Sequence, residues 1–438
     1  MSDPAAPPDP WETLRSLSMG QPVVVTRADG RVWRGTLVPS HEFSGDRIVQ
    51  LKLESGYNIG VRIEPDDKVE TIPFEPTPAD PNGAQDHRGA DGTGPWIALL
   101  TTGGTIASRI DYRTGGVRPV RSESEILSFY PDLERDGPVR VIPVLDRLSE
   151  EIVPDDWMTL ADRIVETFSQ GAQGVVVAHG TDTLAYSAAA LAFLLEDLPG
   201  PVVVVGAQRS PDRPSSDGFS NLAQAARLAR HPDLGEVVVL MHDGLSDDRF
   251  AIHRATHVRK MHSSRRDAFR SRNGGPIATV QGDVVTIHRP FRPRGAGPAK
   301  VSSRIDPNGA ILWMHPGLAP ERAEAFARGL RGLVIAGTGL GHASLVHRGW
   351  IERAIGSGTV VVMTTQCLEG NVDPFVYATG RELLRAGVLY AYDLLPETAH
   401  AKLLWALGRA RDPSEVRRLM LEDRAGEFER RHAVEPPP

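Results

Sequence analysis

Cysteine is nearly missing from this sequence. Cys367 is the only one in 438 residues, so no internal disulfide can form and a reducing compartment is the natural setting. Long apolar runs are missing too. No stretch reaches the roughly 20 residues that a membrane-spanning helix needs. The acidic, proline-rich opening MSDPAAPPDPW lacks the basic start and apolar run of a secretory signal. Nor is basic charge in excess: 49 Lys and Arg face 56 Asp and Glu, a net charge of -7, which gives no support to a globally basic nucleic-acid surface. A soluble, cytoplasmic chain with no membrane partner is the expectation. What is present is ordinary globular composition, 40% hydrophobic and 24% charged, in a chain long enough for two or three domains.

The chain divides by rhythm. Residues 1–18 read as a disordered leader. Residues 19–72 carry five short β-type runs (PVVVTR, RVWRGTLV, RIVQLKLE, YNIGVRI, KVETI), with hairpin turns at Asp29-Gly30 and Ser55-Gly56. Five short strands in so few residues suggest a small barrel that closes its own edges. Residues 73–95, rich in proline, glycine and aspartate, have little to bury and read as a linker. Over 96–290 the runs WIALLTT, GVVVAH, PVVVVGAQ and EVVVLMH are continuously apolar, as parallel strands covered on both faces are. They alternate with the helical stretches WMTLADRIVETFSQG, TLAYSAAALAFLLED and SNLAQAARLARH, which predicts an α/β domain. Residues 291–309 read as an inter-domain connection. Residues 310–438 read as a smaller α/β domain, in which GLVIAGTG and TVVVMTTQ repeat the strand-then-loop pattern and DPSEVRRLMLEDRAGEFERR forms a closing amphipathic helix.

Ligands of open α/β sheets bind beyond the carboxyl ends of the strands. The first such end is WIALLTTGGTIAS. Gly103 and Gly104 allow a tight turn there, and Thr105 stands where a helix can begin, either as a cap or beside N–H groups that attract an anion. The segment lacks the G-x-G-x-x-G dinucleotide pattern. The second end is GVVVAHGTDTLAYS, where two hydroxyls and a carboxylate follow the strand; Asp182 or Thr183 also reads as a helix cap. The third element, RATHVRKMHSSRRDAFRS, presents Lys260, which reads either as part of a solvated basic loop or as the base that a poor threonine nucleophile requires. His253 and His257 have the spacing of a helical metal pair, but the arginines around them disfavour a cation. They read as ordinary polar residues, and no metal is expected. Cys367, at the end of TVVVMTTQC, reads as a packed small side chain.

Taken in order, TTGGTIA, HGTDT and Val258-x-Lys260 resemble the bacterial-type L-asparaginase family. The resemblance implies an asparaginase-type two-domain α/β fold, with a larger parallel-sheet domain and a smaller α/β domain, preceded here by the small β-barrel. It implies amide hydrolysis with Thr105 as nucleophile, and Thr181, Asp182 and Lys260 as second threonine, aspartate and lysine. Tyr112 matches the tyrosine of a loop that closes over the substrate. Ser149 and Glu150 fall where substrate α-carboxylate and α-amino groups are held, with Gly104 and Gly180 beside them. The barrel together with SGYNIGVRI, VGAQRSPDRPSSDG, VRKMHSSRRDAF and VYATGRELLRAGV resembles one branch, the D subunits of archaeal-type glutamyl-tRNA(Gln) amidotransferases. That branch implies a glutaminase acting on L-glutamine or L-asparagine, a homodimer, and a heterotetramer with an E subunit. The E subunit would bind the glutamyl-tRNA(Gln) and use ATP and magnesium, with no cofactor in this chain. The alternative is a free-standing L-asparaginase or glutaminase that retains the barrel. Asn371 and Asp373-Pro374 depart from the family pattern.

Overall fold

The computed structural model describes residues 9–39, 46–53, 58–72, 94–103, 108–110, 117–119, 130–209, 216–282, 284–302 and 304–429. The first unit is antiparallel. Strands β1 (Pro22–Thr26), β2 (Val32–Val38), β3 (Ile48–Leu53), β4 (Asn58–Arg62) and β5 (Lys68–Thr71) run in the order β4-β3-β2-β1-β5. Alternate residues Val23, Val25, Leu37, Val49, Leu51, Val61 and Ile63 are buried together, as the two-residue period of strands dictates. The Asp29-Gly30 turn joins β1 to β2, with Gly30 at φ 86°, while Ser55-Gly56 lies outside the described residues. Two expectations need correction. Within the supposed leader, α1 (Pro10–Arg15) is helical: Asp9 accepts the Trp11 N–H at its start, and Leu14 is buried against the strands. And the outer strands β4 and β5 share no ladder among the described residues. A side chain spans the gap instead, Arg27 donating to the Arg62 carbonyl at 2.6 Å.

The second unit is built on an eight-stranded sheet. Strand β6 (Ile97–Thr101) is followed by a short hairpin, β7 (Ser108–Ile110) and β8 (Val117–Pro119), then by β9 (Val139–Pro143), α2 (Pro154–Ser169), β10 (Val175–Ala178) and α3 (Leu184–Leu194). After β11 (Leu195–Glu196) come β12 (Val202–Val205), α4 (Gly218–Leu228), β13 (Val237–His242), β14 (Arg249–Arg254), β15 (Val258–Lys260), β16 (Phe269–Ser271), β17 (Ala278–Gln281) and β18 (Val284–Ile287). The order β9-β6-β10-β12-β13 is parallel, and β14, β17 and β18 continue the sheet antiparallel. Every residue of β6, β10, β12 and β13 is buried, because helices cover both faces. Odd and even positions feed separate cores: Val175, Val177, Val202 and Val204 meet α2 and α3, while Val176, Val203, Val205 and Leu240 meet α4.

Residues 291–309 are more than a connection. Their strand β19 (Lys300–Val301) pairs with β11, and Gly295 donates to the Leu198 carbonyl. The third unit has four parallel strands in sequence order, β20 (Gly309–Trp313), β21 (Gly332–Gly337), β22 (Val360–Thr365) and β23 (Leu389–Tyr390). Helices α5 (Pro320–Ala327), α6 (Arg348–Gly356) and α7 (Ala378–Arg385) alternate with them, followed by α8 (Pro396–Arg409) and α9 (Pro413–Leu421). Asp412 caps α9 by accepting from Ser414 and Glu415, and Val416, Leu419 and Met420 form its buried stripe. The helix stops at Leu421, however, so the expected closing helix covers only the first half of that segment and residues 422–429 are non-helical. Helix α8 joins the two lobes. Its Leu403, Leu404 and Leu407 share one apolar cluster with Val334 and Val362 of the small sheet and with α3, and the rings of Trp405 and Phe193 lie 6.1 Å apart. Among the described residues no helix is long and apolar enough to cross a membrane.

Candidate active site

The sheet order places the site. From β6 the chain leaves toward β9 on one side, and from β10 it leaves toward β12 on the other. Diverging connections open a crevice at the carboxyl ends of β6 and β10, where α/β sheets bind ligands. Thr102 closes the floor of that crevice, its hydroxyl donating to the Ala178 carbonyl at 3.1 Å. Gly103 follows at φ 96°, a conformation that favours glycine, and a Cβ there would lie 2.5 Å from the Arg147 carbonyl oxygen. Gly104, Thr105 and Tyr112 lie outside the described residues.

The exit of β10 is densely built. His179 is fully buried, its Nδ1 donating to the Gly180 carbonyl at 2.7 Å, and burial pulls its pKa down. Gly180 leaves room for Ser149, since a Cβ on it would sit 2.7 Å from the serine's Cβ and 2.9 Å from its Oγ. Ser149 is buried and Glu150 exposed, on the single helical turn Ser149–Glu151 that follows β9. Thr183 occupies the N-cap position of α3 without capping it; its hydroxyl donates instead to the Ser149 carbonyl at 2.5 Å. Capping therefore does not account for this loop.

Lys260 ends β15 and reaches into the same crevice. Its Nζ donates to Thr181 Oγ1 at 2.8 Å and to Asp182 Oδ1 at 2.7 Å. Thr181 is buried, and the lysine side chain is 12% exposed against 66% for Asp182, so the carboxylate alone faces open water. A hydroxyl, an amine and a carboxylate in one chain of hydrogen bonds can relay a proton. The structure thus brings Thr181, Asp182, Lys260, Ser149 and Gly180 to one place.

The basic run after Lys260 begins as a solvated loop, with residues 261–265 exposed, and turns inward as its arginines find carboxylates. Arg265 and Arg270 pair with Asp267, Arg266 with Asp247, and fully buried Arg272 with Asp393 at 3.0 Å. His253 and His257 share no helix. One lies on β14 against Ser271 Oγ (2.7 Å), and the other contacts the Gly426 carbonyl (2.8 Å) from a short turn. Among the described residues no three His, Cys, Asp or Glu side chains gather as a metal site would require. Cys367 is exposed, not packed, because it stands two residues beyond the end of β22. Asn371 and Asp373 shape local backbone, donating to the Val372 carbonyl and accepting from the Phe375 N–H. Two features escaped the sequence reading. Gly206, beyond β12, packs on Thr181, and the strand-then-glycine pattern of VVVVGAQ could have flagged it. Arg259 forms a bidentate pair with Glu397, for which no local signal exists.

Family comparisons agree with this geometry. The "Asparaginase, N-terminal" model matches residues 96–292, the "Glutaminase/Asparaginase C-terminal domain" model 310–420, and the "GatD N-terminal domain" model 17–72. The D subunit of the glutamyl-tRNA(Gln) amidotransferase of Methanopyrus kandleri is 43% identical over 433 residues, 95% of this chain and 93% of that protein. The chain belongs to the family of glutamyl-tRNA(Gln) amidotransferase D subunits. Its relative from Pyrococcus abyssi, another D subunit of this amidotransferase, is 41% identical over 420 residues, covering 94% of this chain and 95% of its own. Among solved structures, the thermostable L-asparaginase from Thermococcus kodakarensis is 35% identical with a TM-score of 0.69, covering 76% of this chain and 99% of that one. L-asparaginase I from Vibrio cholerae is 29% identical with a TM-score of 0.66, covering 76% and 99%. The asparaginase fold and the resemblance to the D-subunit branch both hold.

Proposed function

We propose that this chain is the amide-hydrolysing, ammonia-supplying component of a glutamyl-tRNA(Gln) amidotransferase. The observation that carries the reading is the Thr181–Lys260–Asp182 chain of hydrogen bonds at the switch point of an asparaginase-type sheet. Thr105 attacks the side-chain amide carbonyl of L-glutamine. Its proton passes to the leaving nitrogen, with Thr181, Lys260 and Asp182 supplying the relay, and ammonia departs. Water then attacks the acyl-threonine ester, freeing glutamate and restoring the hydroxyl. Preorganised donors at the oxyanion are worth about 3–4 kcal/mol each in such reactions. Tyr112 closes over the substrate and polarises Thr105. Ser149 and Glu150 hold its α-carboxylate and α-amino groups, and Gly104 and Gly180 let the backbone approach.

In this reading the chain forms a homodimer that carries two E subunits. The partner binds glutamyl-tRNA(Gln), uses ATP with magnesium to activate the attached glutamate, and receives the ammonia. The decisive experiment is steady-state ammonia release from glutamine and from asparagine, with and without an E subunit and glutamyl-tRNA(Gln). A rate that rises sharply only with partner and charged tRNA supports the amidotransferase. A high partner-independent rate on asparagine would make the chain a free-standing asparaginase. The two substrates differ by one methylene, worth only about 1–3 kcal/mol, so both must be measured.

A further inference from the structure

Lys260 stands on a hairpin that belongs to neither large sheet. Among the described residues, strands β15 and β16 pair only with each other, through three residues each. A ladder that short does not fix a long side chain, so the restraint must come from elsewhere. Alternation along β15 supplies it. Val258 and Lys260 share one face, with Val258 buried in the main core, and Arg259 takes the other. There Glu397, in the first turn of α8, accepts from Arg259 Nε at 2.8 Å and Nη2 at 2.7 Å. Both side chains are mostly buried, at 14% and 13% exposure, which makes this a strong bidentate pair and not a solvated surface bridge.

Register raises what depends on that pair. Arg259 lies directly opposite Arg270 in the ladder, and like charges in that position oppose pairing. Separate carboxylates offset the two charges: Arg270 pairs with Asp267 at 2.7 Å, which Arg265 shares, and with Asp243 at 3.3 Å, while Arg259 takes Glu397. Removal of Glu397 would leave a mostly buried guanidinium facing another across the hairpin that carries Lys260. Neighbouring bonds tie the same segment to the same lobe, Thr398 donating to the Thr256 carbonyl at 3.0 Å and His257 meeting the Gly426 carbonyl.

We propose that Glu397 is a positioning residue for Lys260, acting through Arg259 to hold the lysine on Thr181 and Asp182. This rests on the amidohydrolase reading above, with Lys260 in the proton relay. The test uses Glu397→Gln in the full chain with its partner. Small displacements of a reacting group cost one to two orders of magnitude, so kcat should fall about 10- to 100-fold. KM should stay within about twofold, and in a Lys260→Met background Glu397→Gln should lower the rate no further. A readout independent of turnover is the rate at which an amine-reactive ester labels Lys260, followed by mass spectrometry; it should rise severalfold as the side chain is released. If Glu397→Gln fails to fold, Arg259→Lys, which keeps the charge but loses the fork, should give an intermediate loss and intermediate labelling. Unchanged kcat and unchanged labelling overturn the proposal, and so does an equal loss in the Lys260→Met background. Should the wild-type complex release no ammonia, the functional reading falls, and labelling alone decides the positioning.

Discussion

Gly206 lies hard against Thr181. A Cβ built on the glycine would sit 2.7 Å from the threonine's Cγ2 and 2.8 Å from the His179 carbonyl oxygen, and neither neighbour is a flexible chain end. Gly206→Ala should therefore cost about 1–3 kcal/mol of stability and displace the Thr181 hydroxyl, lowering kcat tenfold or more. Urea denaturation and ammonia release check the two halves. Wild-type kcat in the alanine variant would mean that the loop absorbs a methyl group without moving Thr181.

Lys260→Met should reduce amide hydrolysis by about 10²- to 10⁴-fold, the usual range for loss of a proton-transfer group. Lys260→Arg should not restore it, because a guanidinium keeps its proton at every working pH. Thr181→Val removes the lysine's other partner, and the double variant should be no slower than the slower single one. Single-turnover rates would show this directly.

The buried pair Arg272–Asp393 gives a stability prediction. Both side chains are almost completely enclosed, and burial pulls the guanidinium below its usual pKa while Asp393 counters it. Asp393→Ala should cost about 3–5 kcal/mol, since it leaves a buried cation without its counter-charge. Replacing both by apolar residues of similar volume should cost far less. Chemical denaturation of the three proteins separates these outcomes.

Acid should destabilise the protein from near neutrality downward. Burial holds His253 at a pKa of about 3, with Arg270 adding to the effect, and keeps His257 well below 6.5. Between pH 6.5 and about 3 the unfolded chain binds a proton at position 253 that the folded chain refuses. Stability therefore falls as pH falls, by about 1.4 kcal/mol per pH unit for each such group. His253→Gln should make this slope shallower by about that amount, measurable by denaturation at pH 6.5, 5.5 and 4.5. An unchanged slope would show that the folded state accepts the proton.

What the sequence disclosed depended on distance along the chain. The apolar runs of β6, β10, β12 and β13 name their own environment, because a strand covered on both faces has no polar period to mislead. Gly103 and Gly180 are legible at the strand exits for the same local reason, and Lys260 because family motifs place it. The pairs Arg259–Glu397 and Arg272–Asp393 join residues more than 100 positions apart, so the arginines looked like a solvated run. Helix α1 was hidden by its prolines, although Pro10 stands at the first helical position, where its missing N–H costs nothing.

The reach of the segment after α9 back to the lysine hairpin bears on how the protein is made. The Ala425 and Gly426 carbonyls contact Thr256 and His257, and Glu427 gives its carbonyl to Arg272 and its carboxylate to Lys402. All three leave the ribosome well after the residues they anchor. A nascent chain can already own its eight-stranded sheet and the HGTDT loop, yet the hairpin that must present Lys260 still lacks these anchors. Synthesis itself thus delivers last the contacts that hold the hairpin.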